Sequence, residues 1–180
     1  MRKIVFHIVA VMVFIVPLSW AVAGVISDGN KPIRIVSDRF DVYSDKSVAI
    51  FSGNVEVTQE DTVITSDKFY LHYKKTEGNK AGEKHETVSS SKINSGNLQK
   101  IEAKGHVVIR QKGKVVTGET AVFFSNEQKI VVTGNPVMKE GVNSIRGDTI
   151  IFFLSENRGI VESSLKRRVT ATIYPEEKTD

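Results

Sequence analysis

Carboxylates recur behind a small residue at four places, Ser37-Asp38, Ser66-Asp67, Gly118-Glu119 and Gly147-Asp148, and carboxylates are the groups most used as general acids, bases and metal ligands. Their separations, 29, 52 and 29 residues, point instead to a repeated turn in which the acidic side chain bonds to nearby backbone. Beyond the N-terminal apolar segment, which holds His7, the three histidines at 72, 85 and 106 show no His-Glu-x-x-His or other ligand spacing, so a metal site is not expected. Ser89-Ser90-Ser91 lies in a polar stretch, with no Gly-x-Ser-x-Gly elbow and no phosphate-binding glycine loop in the chain. The absence of cysteine excludes disulfides, thiolate metal sites and thiol nucleophiles. Lys166-Arg167-Arg168 has the chemistry to meet phosphates, and equally that of a solvated charge cluster. The expectation is a protein that is not an enzyme, with no catalytic residue, metal or cofactor.

The elements that carry these residues begin after an export signal. Arg2 and Lys3 precede an apolar run from Ile4 to Leu18, followed by Ala21-Val22-Ala23, the pattern of a signal peptide cleaved after Ala23. The rival reading is a retained membrane anchor, if the run is stretched to Ile26. Cleavage removes two cations and lowers the basic surplus of the 180-residue chain from four to two, which takes away the compositional case for nucleic-acid binding. An exported, mixed-charge chain suits the periplasm of a Gram-negative cell.

Beyond residue 30 the pattern is of period two, as in Ile33-Arg34-Ile35, Val55-Glu56-Val57 and Val169-Thr170-Ala171-Thr172-Ile173. A glycine corner follows the first three acidic corners, at Gly53-Asn54, Gly105-His106 and Gly134-Asn135. It lags by 15 residues in two units and by 38 in the other, which places a 23-residue insertion in the polar, Gly/Ser-rich stretch at about 74–98. Stacked units of this kind bury apolar faces only against one another. Aligned positions put Ile35, Ile64, Val116 and Ile145, then Val42, Leu71, Phe123 and Phe152, on the inner face, with Phe51, Ala103, Val132, Val57, Ile109 and Met138 around the glycine corners. Phe124 and Phe153 occupy equivalent outward positions. Pro136 stands where other units have Val55 and Val107, which predicts weaker pairing near Met138. The expected fold is all-β, two antiparallel sheets stacked as an elongated open roll. Its edges are the first strand, Lys31–Ser37, and the last, Arg168–Tyr174.

The stretches Lys31–Asp38, Phe51–Gln59, Ile101–Ile109, Val131–Asn135, Ile145–Asp148 and Arg168–Pro175 resemble, in order, the OstA-like family, most closely its periplasmic lipopolysaccharide-transport branch. The resemblance implies a slightly twisted open β-jellyroll over 24–175, after a signal peptide at 1–23 and before a tail at 176–180. It implies lipopolysaccharide, through its lipid A, as cargo. The expected partners are further copies of the chain joined head to tail, and LptC-like inner-membrane and LptD-like outer-membrane OstA domains. Ile33 and Ile35 match the family's lipid-contacting first strand, and inward parity adds Val42, Phe51, Val55, Val57, Phe69, Leu71, Ile109 and Phe123 as lipid-binding candidates. Ile33, Ile35, Val169, Ala171 and Ile173 are the candidates for oligomerisation through the edges. Two alternatives stand beside this reading: a membrane-anchored, LptC-like docking member, and a structural OstA-like module whose groove is plugged by side chains and carries no lipid.

Overall fold

The computed structural model describes residues 31–74, 98–164 and 167–175. The expected signal peptide, all of the expected insertion at about 74–98 except its end residues Lys74 and Leu98, Lys166 and the tail at 176–180 lie outside the described residues, which contain strands and no helix. The strands are β1 (Arg34–Val36), β2 (Arg39–Tyr43), β3 (Val48–Gln59), β4 (Thr62–Tyr73), β5 (Leu98–Gln111), β6 (Lys114–Phe124), β7 (Lys129–Thr133), β8 (Val137–Glu140), β9 (Asn143–Arg146), β10 (Thr149–Phe153), β11 (Arg158–Glu162) and β12 (Thr170–Thr172). They form one sheet in which every pair is antiparallel.

That sheet is bent into two leaves. The register breaks between Ser52 and Val55, between Thr65 and Lys68 and between Lys104 and Val107, so each long strand crosses from one leaf to the other in mid-course. The first leaf consists of β2, the leading half of β3, the trailing half of β4, the leading half of β5, the trailing half of β6, β7, β10 and β11. The second contains β1, the complementary halves of β3 to β6, β8, β9 and β12. Among the described residues the chain therefore makes eight passes from leaf to leaf.

The corners are built by the two motifs that recur in the sequence. Gly53-Asn54, Gly105-His106 and Gly134-Asn135 are consecutive left-handed pairs, with φ of 79° and 45°, 78° and 47°, and 81° and 53°, a conformation glycine adopts without penalty and Asn or His tolerate. Each glycine leaves room for the acidic side chain of a neighbouring pass: a Cβ on Gly53 would lie 2.4 Å from Asp38 Oδ2, one on Gly105 2.2 Å from Asp67 Oδ2, and one on Gly134 2.4 Å from Glu119 Cβ. The acidic residues do not act chiefly through local backbone bonds, as turn chemistry suggested. Asp38 accepts from Asn54 Nδ2 at 2.8 Å and Asp67 from His106 Nδ1 at 2.9 Å. Asp148 takes a backbone N–H, that of Ser164 sixteen residues on, at 2.7 Å.

Pro136 is fully buried and, lacking an N–H, divides into β7 and β8 the pass that runs unbroken in β3 and β5. The rung that Val55 makes with Ser66 and Val107 with Gly118 is missing at Pro136, so pairing is lost two residues before Met138. Met138 itself keeps Val116 on one side and Ile145 on the other, so the loss stops at the proline's own rung. The edge strands are shorter than the sequence pattern suggested, Arg34–Val36 in place of Lys31–Ser37 and Thr170–Thr172 in place of Arg168–Tyr174. A strand held on one side only frays at its ends, and short edges also resist indiscriminate pairing.

Burial follows the alternation. Ile64, Leu71, Ala103, Ile109, Val116, Phe123, Val132, Val57, Met138 and Phe152 are core residues, and Ile35, Val42, Phe51 and Ile145 are half-buried against them. Phe124 and Phe153 do stand on the outer face of the first leaf, half-buried beneath the cations Lys129 (5.0 Å) and Arg158 (4.2 Å), contacts favourable to an aromatic face.

Candidate functional site

The inner face of the second leaf carries one apolar row across its whole width. Ile35 pairs with Val57, Val57 with Ile64, Ile64 with Ile109, Ile109 with Val116, Val116 with Met138, Met138 with Ile145, and Ile145 with Ala171. The first leaf opposes it with Val42, Ala49, Leu71, Ile101, Phe123, Ile130 and Phe152 in one unbroken ladder row. Between them lies a cavity lined by Ile64, Phe69, Ile101, Ala103, Ile109, Ala121, Phe123 and Ile130. Its free volume is about 20 Å³, close to what one water needs, and its apolar lining disfavours water there.

Of the ten residues singled out for lipid contact, Phe69, Ile109 and Phe123 line the cavity. Val55, Val57 and Leu71 are buried elsewhere in the same core. Val42, Phe51 and Ile35 pack half-buried against it, and Ile33 is 40% exposed just outside β1. Ile64, Ile101, Ala103, Ala121 and Ile130 complete the lining and were not among the ten. Their parity in the repeat is the signal that finds them, but which inner residues border a gap depends on the spacing of the leaves, and parity is silent on that.

Exposed apolar side chains gather at the two ends of the roll. Ile33, Val36, Phe40 and Tyr43 mark the first end, and Val169, Ile173 and Tyr174 the last. Four of the residues expected at a junction, Ile33, Val169, Ala171 and Ile173, are exposed, while Ile35 is half-buried. Among the described residues, β1 and β2 have a partner only in β3, β12 only in β9 and β11 only in β10, so each end of the described sheet presents unpaired backbone groups in both leaves.

Several charged groups are held in structural pairs. Glu102, on the outer face, lies 3.1 Å from Lys104 and 3.6 Å from both Lys100 and His72. Burial works against its ionisation, yet the Lys104 hydrogen bond and the two lysine charges hold its carboxyl below the usual range. Burial, reinforced by Lys100, lowers His72. The hydrogen bond to Asp67, with the charges of Asp67 and Glu119, raises His106, so the two histidines titrate in opposite directions from the ordinary imidazole value. The Ser164 amide lowers Asp148, and Arg167 sits 3.2 Å from Asp148 and donates to Asn135 Oδ1 at 2.7 Å. Arg167 is thereby engaged in the last corner. No group of three or more metal-ligating side chains converges among the described residues.

Comparison with known proteins accords with this geometry. An uncharacterised protein of Rhizobium meliloti (strain 1021) is 27% identical over 95 residues, 52% of this chain and 44% of that protein, so the match spans less than half the length of that relative. The crystal structure of LptH, described as the LptA-homologous periplasmic component of the conserved lipopolysaccharide transport device of Pseudomonas aeruginosa, superposes with a TM-score of 0.63 at 18% identity, covering 83% of this chain and 99% of that one. The fold is thus the open antiparallel roll of the LptA type. The family model described as LptA/(LptD N-terminal domain) LPS transport protein matches residues 34–158. A chain whose corners, inner rows and edges all fall within or beside that match belongs to the LptA/(LptD N-terminal domain) family of lipopolysaccharide transport proteins.

Proposed function

We propose that this protein carries lipopolysaccharide through the periplasm, taking the acyl chains between its two leaves, and that copies join head to tail to bridge LptC-like inner-membrane and LptD-like outer-membrane OstA domains. The observation that carries the reading is the inner apolar row that runs unbroken from Ile35 at one edge to Ala171 at the other. A row that ends at an open edge can be continued by the next copy. The first pass, β1 to β2, runs from the second leaf to the first, and the last, β11 to β12, runs from the first to the second. Two copies abutted end to end therefore meet as antiparallel strands in both leaves at once, the pairing used throughout the chain.

The small free volume of the cavity between Ile64 and Phe123 sets a condition on lipid entering there. An acyl chain is far larger than the gap, so loading parts the leaves, and the loaded form is a second state whose apolar contacts with the lipid replace contacts between leaves.

A photo-crosslinking residue at Ile35, inward and paired with Val57, is expected to capture lipopolysaccharide, while one at the exposed Arg34 is not. Equal capture at both, or none at either, would remove the cargo from the reading. Assembly is tested by Ile35→Cys combined with Ala171→Cys. Continuation of the row sets these two side chains opposite each other across a junction, where antiparallel neighbours have Cβ atoms ~4.5–5.5 Å apart, near the reach of a disulfide. The natural chain has no cysteine, so oxidation is expected to give a ladder of multimers from the double variant and dimers at most from either single one. A double variant that stays monomeric would refute the edge-to-edge join.

A further inference from the structure

Beyond the inner apolar row of the second leaf lies a polar one. Gln59, Thr62 and Gln111 are ladder neighbours, two positions past Val57, Ile64 and Ile109 in their strands and hence on the same face, ~6.8 Å nearer the hairpin turns. They are 5%, 2% and 8% exposed. Ile64 and Ile109 line the cavity, so the polar row is the layer that separates the apolar interior from the hairpin end of the leaf. An amphipathic cargo with its chains in the cavity would set its polar junction there.

Two oxygens in this layer, Gln59 Oε1 and Gln111 Oε1, are buried without a donor, a condition that native structures rarely leave unexplained. The Gln59 amide cannot simply be reversed. Its Nε2 donates to the Lys31 carbonyl at 3.3 Å, and a carbonyl only accepts, so Oε1 is the end left over.

We infer that Gln59 and Gln111 select the cargo: their free oxygens accept from N–H and O–H donors where acyl chain meets sugar, so the groove prefers an N-acylated amino-sugar lipid to a glycerophospholipid. This rests on the lipid-carrying function proposed above. The acyl chains of a glycerophospholipid are joined through esters, which only accept hydrogen bonds, whereas an amide-linked chain brings an N–H to the same depth. A lipid without that donor leaves both oxygens desolvated and unpaired. Sites built to hydrogen-bond a donor reject analogues that lack it far more strongly than apolar pockets discriminate by size.

The test compares binding of purified lipid A and of phosphatidylethanolamine to the unaltered chain and to the Gln59→Leu/Gln111→Leu double variant. The expected result is a preference of the unaltered chain for lipid A that falls roughly tenfold in the double variant, with phosphatidylethanolamine binding unchanged or tighter. Gln111→Glu, which keeps an acceptor beside its ladder partner Lys114, is expected to retain the preference and serves as control should the double variant melt early. An unaltered chain that binds both lipids equally, or a double variant that keeps its preference, overturns the inference and leaves the carrier function standing. Binding of neither lipid by the unaltered chain overturns both.

Discussion

Replacement of Phe69 by alanine is expected to destabilise the fold by about 3–5 kcal/mol, the range for deleting a buried aromatic ring, read as a lower denaturant midpoint with unchanged slope. The ring is 1% exposed and lines the cavity between the leaves. In the ladder it stands between Phe51 and Ala103, and Ala103 pairs in turn with Ala121. Two alanines in succession cannot swing into the vacated space, so the void persists and the loss falls toward the upper end of the range. A loss below about 1 kcal/mol would mean that the leaves close onto the gap, and that their separation is softer than the packing implies.

Gly134→Ala is expected to cost about 2–4 kcal/mol, and the comparison with Gly113→Ala isolates why. Both glycines have left-handed backbone, with φ of 81° and 80°, which penalises any side chain by roughly 1 kcal/mol or somewhat more. At Gly113, in the β5–β6 hairpin, a new Cβ meets nothing within 4 Å, so only that penalty applies. At Gly134 it would lie 2.4 Å from Glu119 Cβ and 3.0 Å from the Glu119 backbone nitrogen, atoms that cannot rotate aside as a side-chain tip would. The corner must open. Equal losses at the two sites in thermal or denaturant melts would show that the acidic residue of the neighbouring pass does not hold the corner shut.

Much of this architecture could be read from spacing because the repeat states it more than once. A single Ile-x-Val pair is weak evidence for a strand, but Ile64, Val116 and Ile145 at equivalent offsets from an acidic corner fix the inner face, and all three are buried or half-buried as that parity requires. The glycine and acidic corners were likewise legible, but their relation was not. That Asp67 lies against Gly105 and His106, 39 residues on, is a contact between passes, and the sequence orders residues only along a pass. How far Pro136 reaches was not legible for a related reason: it removes the rung that Val55 and Val107 make, while Met138 two residues on keeps both ladder partners. The polar layer escaped because glutamine reads as a solvent residue. Gln59 and Gln111 continue the inward parity of Val57 and Ile109, and at the end of a strand a polar type and an inward position are equally plausible from composition. The free volume between the leaves depends on the distance between two sheets, which no pattern within either sheet encodes.

The eight passes also make each protein a measuring stick. Adjacent strands lie ~4.8 Å apart, so the eight described passes advance the roll by about 38 Å, and on the proposed head-to-tail join a filament would lengthen in steps of that size. Nothing finer is available. Sliding one copy against the next by a single residue would turn every inner side chain at the junction outward, and a partly engaged junction would leave an unpaired edge. A bridge built this way fits a gap only to the nearest step, and the remainder must be taken up by whatever it docks onto at either end.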